Sequence, residues 1–222
     1  MSNALVSRTE YSKAERLSDA AVHLVALVAA VAAVPVLITL AAFWHGGASA
    51  ITAISIYGAT LILMIACSAL YNGFPTASLN WLYQRLDHAA IYFKIAGTYT
   101  PFTLMTGQGG WLLTGLWGAA LAGSGIRIFG PGRLKWIAFV LYLAMGWAGV
   151  LFGWSIFAAL SAPVLALMLT GGILYTVGTV FLLWERLPFH NTIWHVFVMA
   201  ATAVFFVAVT MHLSQTARLA GM

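Results

Sequence analysis

Apolar residues run along this chain in seven long blocks separated by short polar connections. The blocks fall at roughly residues 20–43, 51–71, 87–106, 111–126, 135–155, 162–184 and 192–214, the fourth being the shortest. A helix needs about 20 apolar residues to cross the hydrocarbon of a bilayer. Alternation of period two is absent, which argues against a membrane β-barrel. Backbone groups in hydrocarbon must satisfy their own hydrogen bonds, which leaves helices. The predicted fold is therefore all-α, a polytopic membrane bundle of seven transmembrane helices. No linker, low-complexity tract or short repeat divides it. Residues 1–222 are expected to form one membrane domain, with 1–18 as a cytoplasmic N-terminal segment. The first block is too long, and starts too far into the chain, for a cleaved signal peptide.

Composition agrees with this pattern. The chain is 62% hydrophobic, with a mean hydropathy of +0.95, more apolar than a water-soluble domain can be. Eight of the ten basic residues, Arg8, Lys13, Arg16, Arg85, Arg127, Arg133, Lys135 and Arg186, fall before the first block or in every second connection. Only Arg218 falls on the other side, and Lys94 lies inside a block. The positive-inside rule then puts the N-terminus in the cytoplasm and the C-terminus outside. The pI of about 9.6 follows from this bias. It implies no nucleic-acid partner, because no basic stripe is present to hold one. The expected partners are membrane lipids. The single cysteine, Cys67, excludes an intrachain disulfide and reads as a small apolar filler.

Charged groups are costly in mid-membrane and face the bundle interior, so each one inside a block is a candidate for function. Four places stand out. Glu15, Asp19 and His23 open the first block, with Asp19 and His23 at i,i+4 on one helix face; a helix cap at Ser18 or Asp19 is the plainer reading. Ser68 and Asn72, also i,i+4, close the second block. Asp87 and His88 open the third, where Asp87 alone would read as a cap. Lys94 follows about 10 Å further along the helix, free either to snorkel to the cytoplasmic edge or to reach Asp87. His190, Asn191 and His195 open the seventh. His45 and His212 fall at outer ends and read as interfacial. All four clusters lie at the cytoplasmic ends of their blocks. If blocks one, two, three and seven are neighbours, they can line one cavity. Gly149-x-x-x-Gly153 reads as a helix-contact motif, and Pro101 and Pro163 as kinks or helix ends.

The same residues carry a resemblance. Leu86–Phe102, LDHAAIYFKIAGTYTPF, resembles the third-helix signature of the bacterial hemolysin III family. That family is grouped with the progestin and adiponectin receptors and, remotely, the alkaline ceramidases. Glu15–Leu27, ERLSDAAVHLVAL, resembles the family's EEIANSITHGIGAL-like opening, with Glu15 and His23 in place. Ser68–Asn72 is similar to its Ser-x-x-x-His, and Asn191–Val198 to its His-x-x-x-His.

The resemblance implies a bacterial inner-membrane protein with zinc near the cytoplasmic side. The metal would be held by three histidines, with a nearby Ser and Asp supporting bound water. Carried over by position, Ser68 and Asp87 are the implied catalytic pair and His195 is a metal ligand. Asn72 and Asn191 stand where the other two ligands are expected, and an amide oxygen is a poor substitute for imidazole on zinc. His190 could replace Asn191 only if the helix start shifts, and Cys67 could contribute only if the second helix turns by about 100°. Where the family has an apolar residue this chain has Lys94, so a metal-free site with an Asp87–Lys94 pair is one expectation. Three functions follow. The first is lipid sensing or membrane homeostasis with a zinc site that has degenerated. The second is a zinc-dependent hydrolase of lipid amides or esters. The third is a pore or proton pathway.

Overall fold

The computed structural model describes residues 11–74, 78–130 and 134–220. Arg8 and Arg133 of the basic set lie outside them. Every regular element among the described residues is a helix. In chain order these are α1 (Lys13–Trp44), α2 (Ala48–Gly73), α3 (Asn80–Thr106), α4 (Gly110–Phe129), α5 (Lys135–Phe152), α6 (Trp154–Ala159), α7 (Ala162–Leu183) and α8 (His190–Ala220).

Helix α1 begins earlier than its apolar run. Ser12 Oγ accepts from the Glu15 N–H at 3.2 Å, and Glu15 Oε2 accepts from the Ser12 N–H at 2.8 Å. This reciprocal cap satisfies two of the amides a helix start leaves open. Ser18 and Asp19 therefore sit inside the helix, not at its cap. Beyond them Leu24, Val25, Val28, Val31 and Val36 are exposed, an apolar exterior suited to hydrocarbon rather than water. Five helices, α1, α2, α4, α7 and α8, are long and apolar enough to cross a membrane, and Trp136–Phe152 of α5 is a shorter apolar helix. The chain is an integral membrane protein.

Helix α3 is long but not among the five, because it carries Gln84, Arg85, Asp87, His88 and Lys94. Its surroundings explain the polarity. It packs against α2, α4, α5, α6 and α8, and residues 96–103 are buried on every face. A helix covered by protein has no need of a lipid-facing surface. Close approach depends on two glycines. A Cβ at Gly97 would overlap the side chain of Thr60 on α2, and one at Gly123 of α4 would lie 2.5 Å from the Tyr92 ring. Asp87 falls in the third turn of α3, so it is not a cap. Pro101 lies inside α3, which runs on to Thr106, while Pro163 takes the first turn of α7.

The fifth block divides. Gly153 ends α5, its N–H donating to the Gly149 carbonyl at 2.8 Å, and α6 starts afresh at Trp154. Gly149 is the contact position. Its N–H donates to the Tyr99 hydroxyl at 2.9 Å, and that hydroxyl donates to the Gly146 carbonyl at 2.8 Å. Thus α5 is the shortest of the seven long helices, and α4, at 20 residues, is longer than its block. His212 is buried rather than interfacial, because α8 continues past it and turns it onto the Phe102 ring at 5.5 Å.

The bundle closes on itself. α1 packs on α2, α2 on α3, α7 on α8, and α8 on both α1 and α3. The helices of blocks one, two, three and seven are therefore neighbours.

Candidate functional site

Asp19 and His23 stand one turn apart on α1 and face inward, 4% and 2% exposed. Ser68 reaches them from α2 and His195 from α8, both buried. His195 Nδ1 lies 2.6 Å from Asp19 Oδ1. His23 Nδ1 lies 2.8 Å from the Asp19 carbonyl. A carbonyl can only accept, so His23 carries its proton on Nδ1 and leaves Nε2 bare. The carboxylate holds the Nδ1 proton of His195 in the same way. The two Nε2 atoms then converge on one hydroxyl. Ser68 Oγ is 3.0 Å from His23 Nε2 and 3.5 Å from His195 Nε2. The imidazoles meet edge to face, with centroids 4.3 Å apart. Asp19 Oδ2 is buried without a hydrogen-bond partner.

Two amides border this cluster. Asn72 Nδ2 donates to the Ser68 carbonyl at 3.0 Å and approaches Ser68 Oγ at 3.4 Å. Asn191 Nδ2 donates to Asn72 Oδ1 at 3.1 Å. Both asparagines are half-buried, so this is the more open side.

The remaining residues singled out in the sequence have other tasks. Glu15 Oε1 accepts from the Phe189 N–H at 2.9 Å, tying α1 to the turn before α8. Phe189 holds a φ of 59°, a left-handed conformation uncommon outside glycine. His190 turns away, to the Tyr11 hydroxyl at 3.1 Å and the Phe181 carbonyl at 3.3 Å, and so does not stand in for Asn191. His88 Nδ1 donates to the Gln84 carbonyl at 2.5 Å, within its own helix. Asp87 is half-buried and near enough to His23 and Cys67 to act on them electrostatically, but makes no hydrogen bond to the cluster. Cys67 is buried and free, as an apolar filler should be.

Lys94 meets neither expectation. It is 3% exposed, so it does not snorkel. Its Nζ donates to Thr98 Oγ1 at 2.8 Å and lies 4.7 Å from the Tyr57 ring centroid. Thr98 is one turn further along α3, whereas Asp87 is two turns back, so the Asp87–Lys94 pair does not form. The ammonium borders a cavity of about 120 Å³ between α3, α5, α7 and α8, lined mostly by apolar side chains such as Phe102, Trp147, Trp194 and Val198. That is room for hydrocarbon rather than a single water.

The zinc implied by the resemblance does not fit positions 72, 191 and 195. The Asn72 oxygen is engaged by Asn191, its nitrogen by Ser68, and only His195 offers an imidazole. Asp19, His23 and His195 are the one set among the described residues with three donor atoms within 4.8 Å of one another. A carboxylate and two imidazoles suit zinc, and Asp19 Oδ2, 3.5 Å from His23 Nδ1, accepts no hydrogen bond. The sequence marked Asp19 and His23 by their i,i+4 spacing but did not make them the centre. That required α1 to meet α8.

The haemolysin-III related family matches residues 12–206. Hemolysin-3 of Bacillus cereus is 36% identical over 220 residues, covering 98% of this chain and all of the relative. The hemolysin-3 homolog of Bacillus subtilis (strain 168) is 36% identical over 198 residues, covering 88% of this chain and 92% of the relative. The human monocyte to macrophage differentiation factor is 29% identical over 138 residues, covering 59% of this chain and 56% of the relative. A match of this extent, over the helices that build the site, makes the chain a member of the haemolysin-III related family.

Proposed function

We propose that this protein is a lipid-sensing component of a bacterial cytoplasmic membrane, acting in membrane homeostasis by binding a single-chain acidic lipid inside its bundle. In this reading one membrane domain spans the bilayer seven times, with α1, α2, α3, α4, α5, α7 and α8, N-terminus in the cytoplasm and C-terminus outside. Its partners are lipids and not nucleic acid.

The observation that carries the reading is Lys94. It is a buried amine at an apolar cavity, with a hydroxyl and a ring as its contacts and no ion pair among the described residues. An uncompensated buried charge is costly. A ligand bringing one anionic group and a hydrocarbon chain would neutralise the ammonium and fill the cavity. Trp147 and Trp194 line that cavity, so a brominated long-chain fatty acid should quench their fluorescence. Lys94→Met should weaken this quenching about tenfold or more, and the uncharged methyl ester should quench poorly. Equal quenching of wild type and Lys94→Met would reject the reading.

A second reading, a zinc-dependent hydrolase of lipid amides or esters, draws support from Asp19, His23 and His195. In it these three side chains hold the metal, which supplies an activated water, and Ser68 steadies the reacting oxygen. Purified protein should then contain about one zinc per chain, falling to background in His23→Ala and unchanged in Asn72→Ala. Elemental analysis of the three proteins decides the point.

A further inference from the structure

Lys94 and the cavity it borders can do more than hold a lipid by its charge. We propose that Lys94 is a covalent attachment site, whose amine condenses with a long-chain aldehyde to form an imine inside the bundle. The inference rests on reading this cavity as a place for one hydrocarbon chain, and it changes what the head of that chain does there.

Lysines form imines with carbonyl compounds where an apolar pocket strips water from the amine. Lys94 is buried, and no carboxylate among the described residues pairs with it. Its Nζ donates to Thr98 Oγ1 at 2.8 Å and lies 4.7 Å from the centroid of the Tyr57 ring. The Thr98 hydroxyl spends its own hydrogen on the Lys94 carbonyl at 2.7 Å, so toward Nζ it only accepts. In the free amine one N–H is thereby held, and the nitrogen lone pair is left for a carbon atom.

The cavity decides which carbonyl compound fits. Among the described residues lining it there is no carboxylate, imidazole or guanidinium, and Lys94 is the single ionic side chain type. Its other polar groups are already engaged. The Tyr99 hydroxyl donates to the Gly146 carbonyl at 2.8 Å, Trp147 Nε1 donates to Thr176 Oγ1 at 3.0 Å, and the Tyr175 hydroxyl is 2.7 Å from Thr202 Oγ1. A sugar or a keto acid would bury polar groups with nothing to meet them. An aldehyde on a hydrocarbon chain brings one reactive carbon and no such debt. The route in is also apolar. Val150 of α5 and Leu169 of α7 line the cavity and are exposed on the outside of the bundle. The opening between α5 and α7 thus faces hydrocarbon, and a chain longer than the cavity can trail through it into the bilayer. Exclusion of water from such a site protects the imine from hydrolysis.

The step balances. Nζ bonds to the aldehyde carbon, and one Nζ proton passes to the carbonyl oxygen to give a carbinolamine. The carbon–oxygen bond then breaks, and the second Nζ proton leaves with the hydroxyl as water. No oxidant or reductant takes part.

The test uses the full chain in lipid nanodiscs with hexadecanal and cyanoborohydride, which reduces an imine to a stable secondary amine read by peptide mass spectrometry. The chain has two other lysines, Lys13 and Lys135, which serve as internal references. Adduct at Lys94 should exceed that at either by about tenfold or more, because a bound aldehyde is held beside the amine. Propanal, too short to be held by the apolar walls, should lose this preference. A wild-type chain with no more adduct at Lys94 than at Lys13 overturns the proposal, and so does a preference that propanal shares. Quenching by brominated fatty acid is a separate readout. Quenching without a Lys94 adduct overturns the imine and leaves acid binding standing, whereas an adduct without quenching upholds the imine and rejects the acid.

Discussion

A methyl group added at Gly97 has no room. Its Cβ would overlap Thr60 Oγ1 and sit 2.9 and 3.0 Å from Thr60 Cβ and Cγ2. Those atoms belong to α2, held by the Thr60 hydroxyl on the Ile56 and Tyr57 carbonyls at 3.0 Å. Overpacking of this kind costs about 1–3 kcal/mol. Gly97→Ala should therefore lower the midpoint of unfolding in mixed detergent, and adding Thr60→Ala, which removes two of the three crowding atoms, should restore part of it. The same scale shows what a sequence conveys about a site. That Ser68, Asn72, Asn191 and His195 could meet was legible because the motif spacing carried them, and the structure brings them together. The direction of Lys94 was not, since snorkelling, pairing with Asp87 and turning toward Thr98 all begin from the same position on α3.

Helix α1 owes its start to two side chains with unequal duties. Ser12 caps the helix and does little else. Glu15 completes the cap and also accepts the Phe189 N–H at 2.9 Å across the bundle. Losing a cap costs about 0.5–2 kcal/mol, and losing the part-buried hydrogen bond from the Phe189 N–H costs about 0.5–1.5 kcal/mol more. Glu15→Ala should thus destabilise the protein more than Ser12→Ala, and only Glu15→Ala should speed amide hydrogen exchange at Phe189. The sequence contained this cap as Ser12-x-x-Glu15, but the apolar block that marks the helix begins about two turns after Lys13, so the boundary fell short. Block five failed for the opposite reason. Its hydrophobicity continues through Gly153, where the backbone ends α5, because composition is blind to a break whose residues are all apolar. Block three was legible as a helix despite its charges. Why it carries them became plain only with five helices packed around it.

Orientation is a property of the whole chain and can be tested there. Ala48 and Arg186 are exposed and lie in connections of opposite basic character. Placed one at a time in a Cys67→Ser background, Ala48→Cys should react with a membrane-impermeant maleimide on intact bacteria. Arg186→Cys should react only after the cells are opened. The reverse pattern would invert the protein. The bundle as a set of helices was readable from the blocks, but its closure was not, because no local signal says that the first helix lies against the last.

That closure sets a timetable for synthesis. Asp19 and His195 are 176 positions apart and 2.6 Å from one another. At about 5–20 residues per second, the acid of α1 is made roughly 10–35 s before its imidazole. Until α8 emerges, the growing polypeptide carries a carboxylate in its first membrane helix with no mate from the other end of the chain. A ribosome that stalls short of α8 leaves that acid unanswered for good, so an unfinished copy differs chemically from a finished one at its very first crossing.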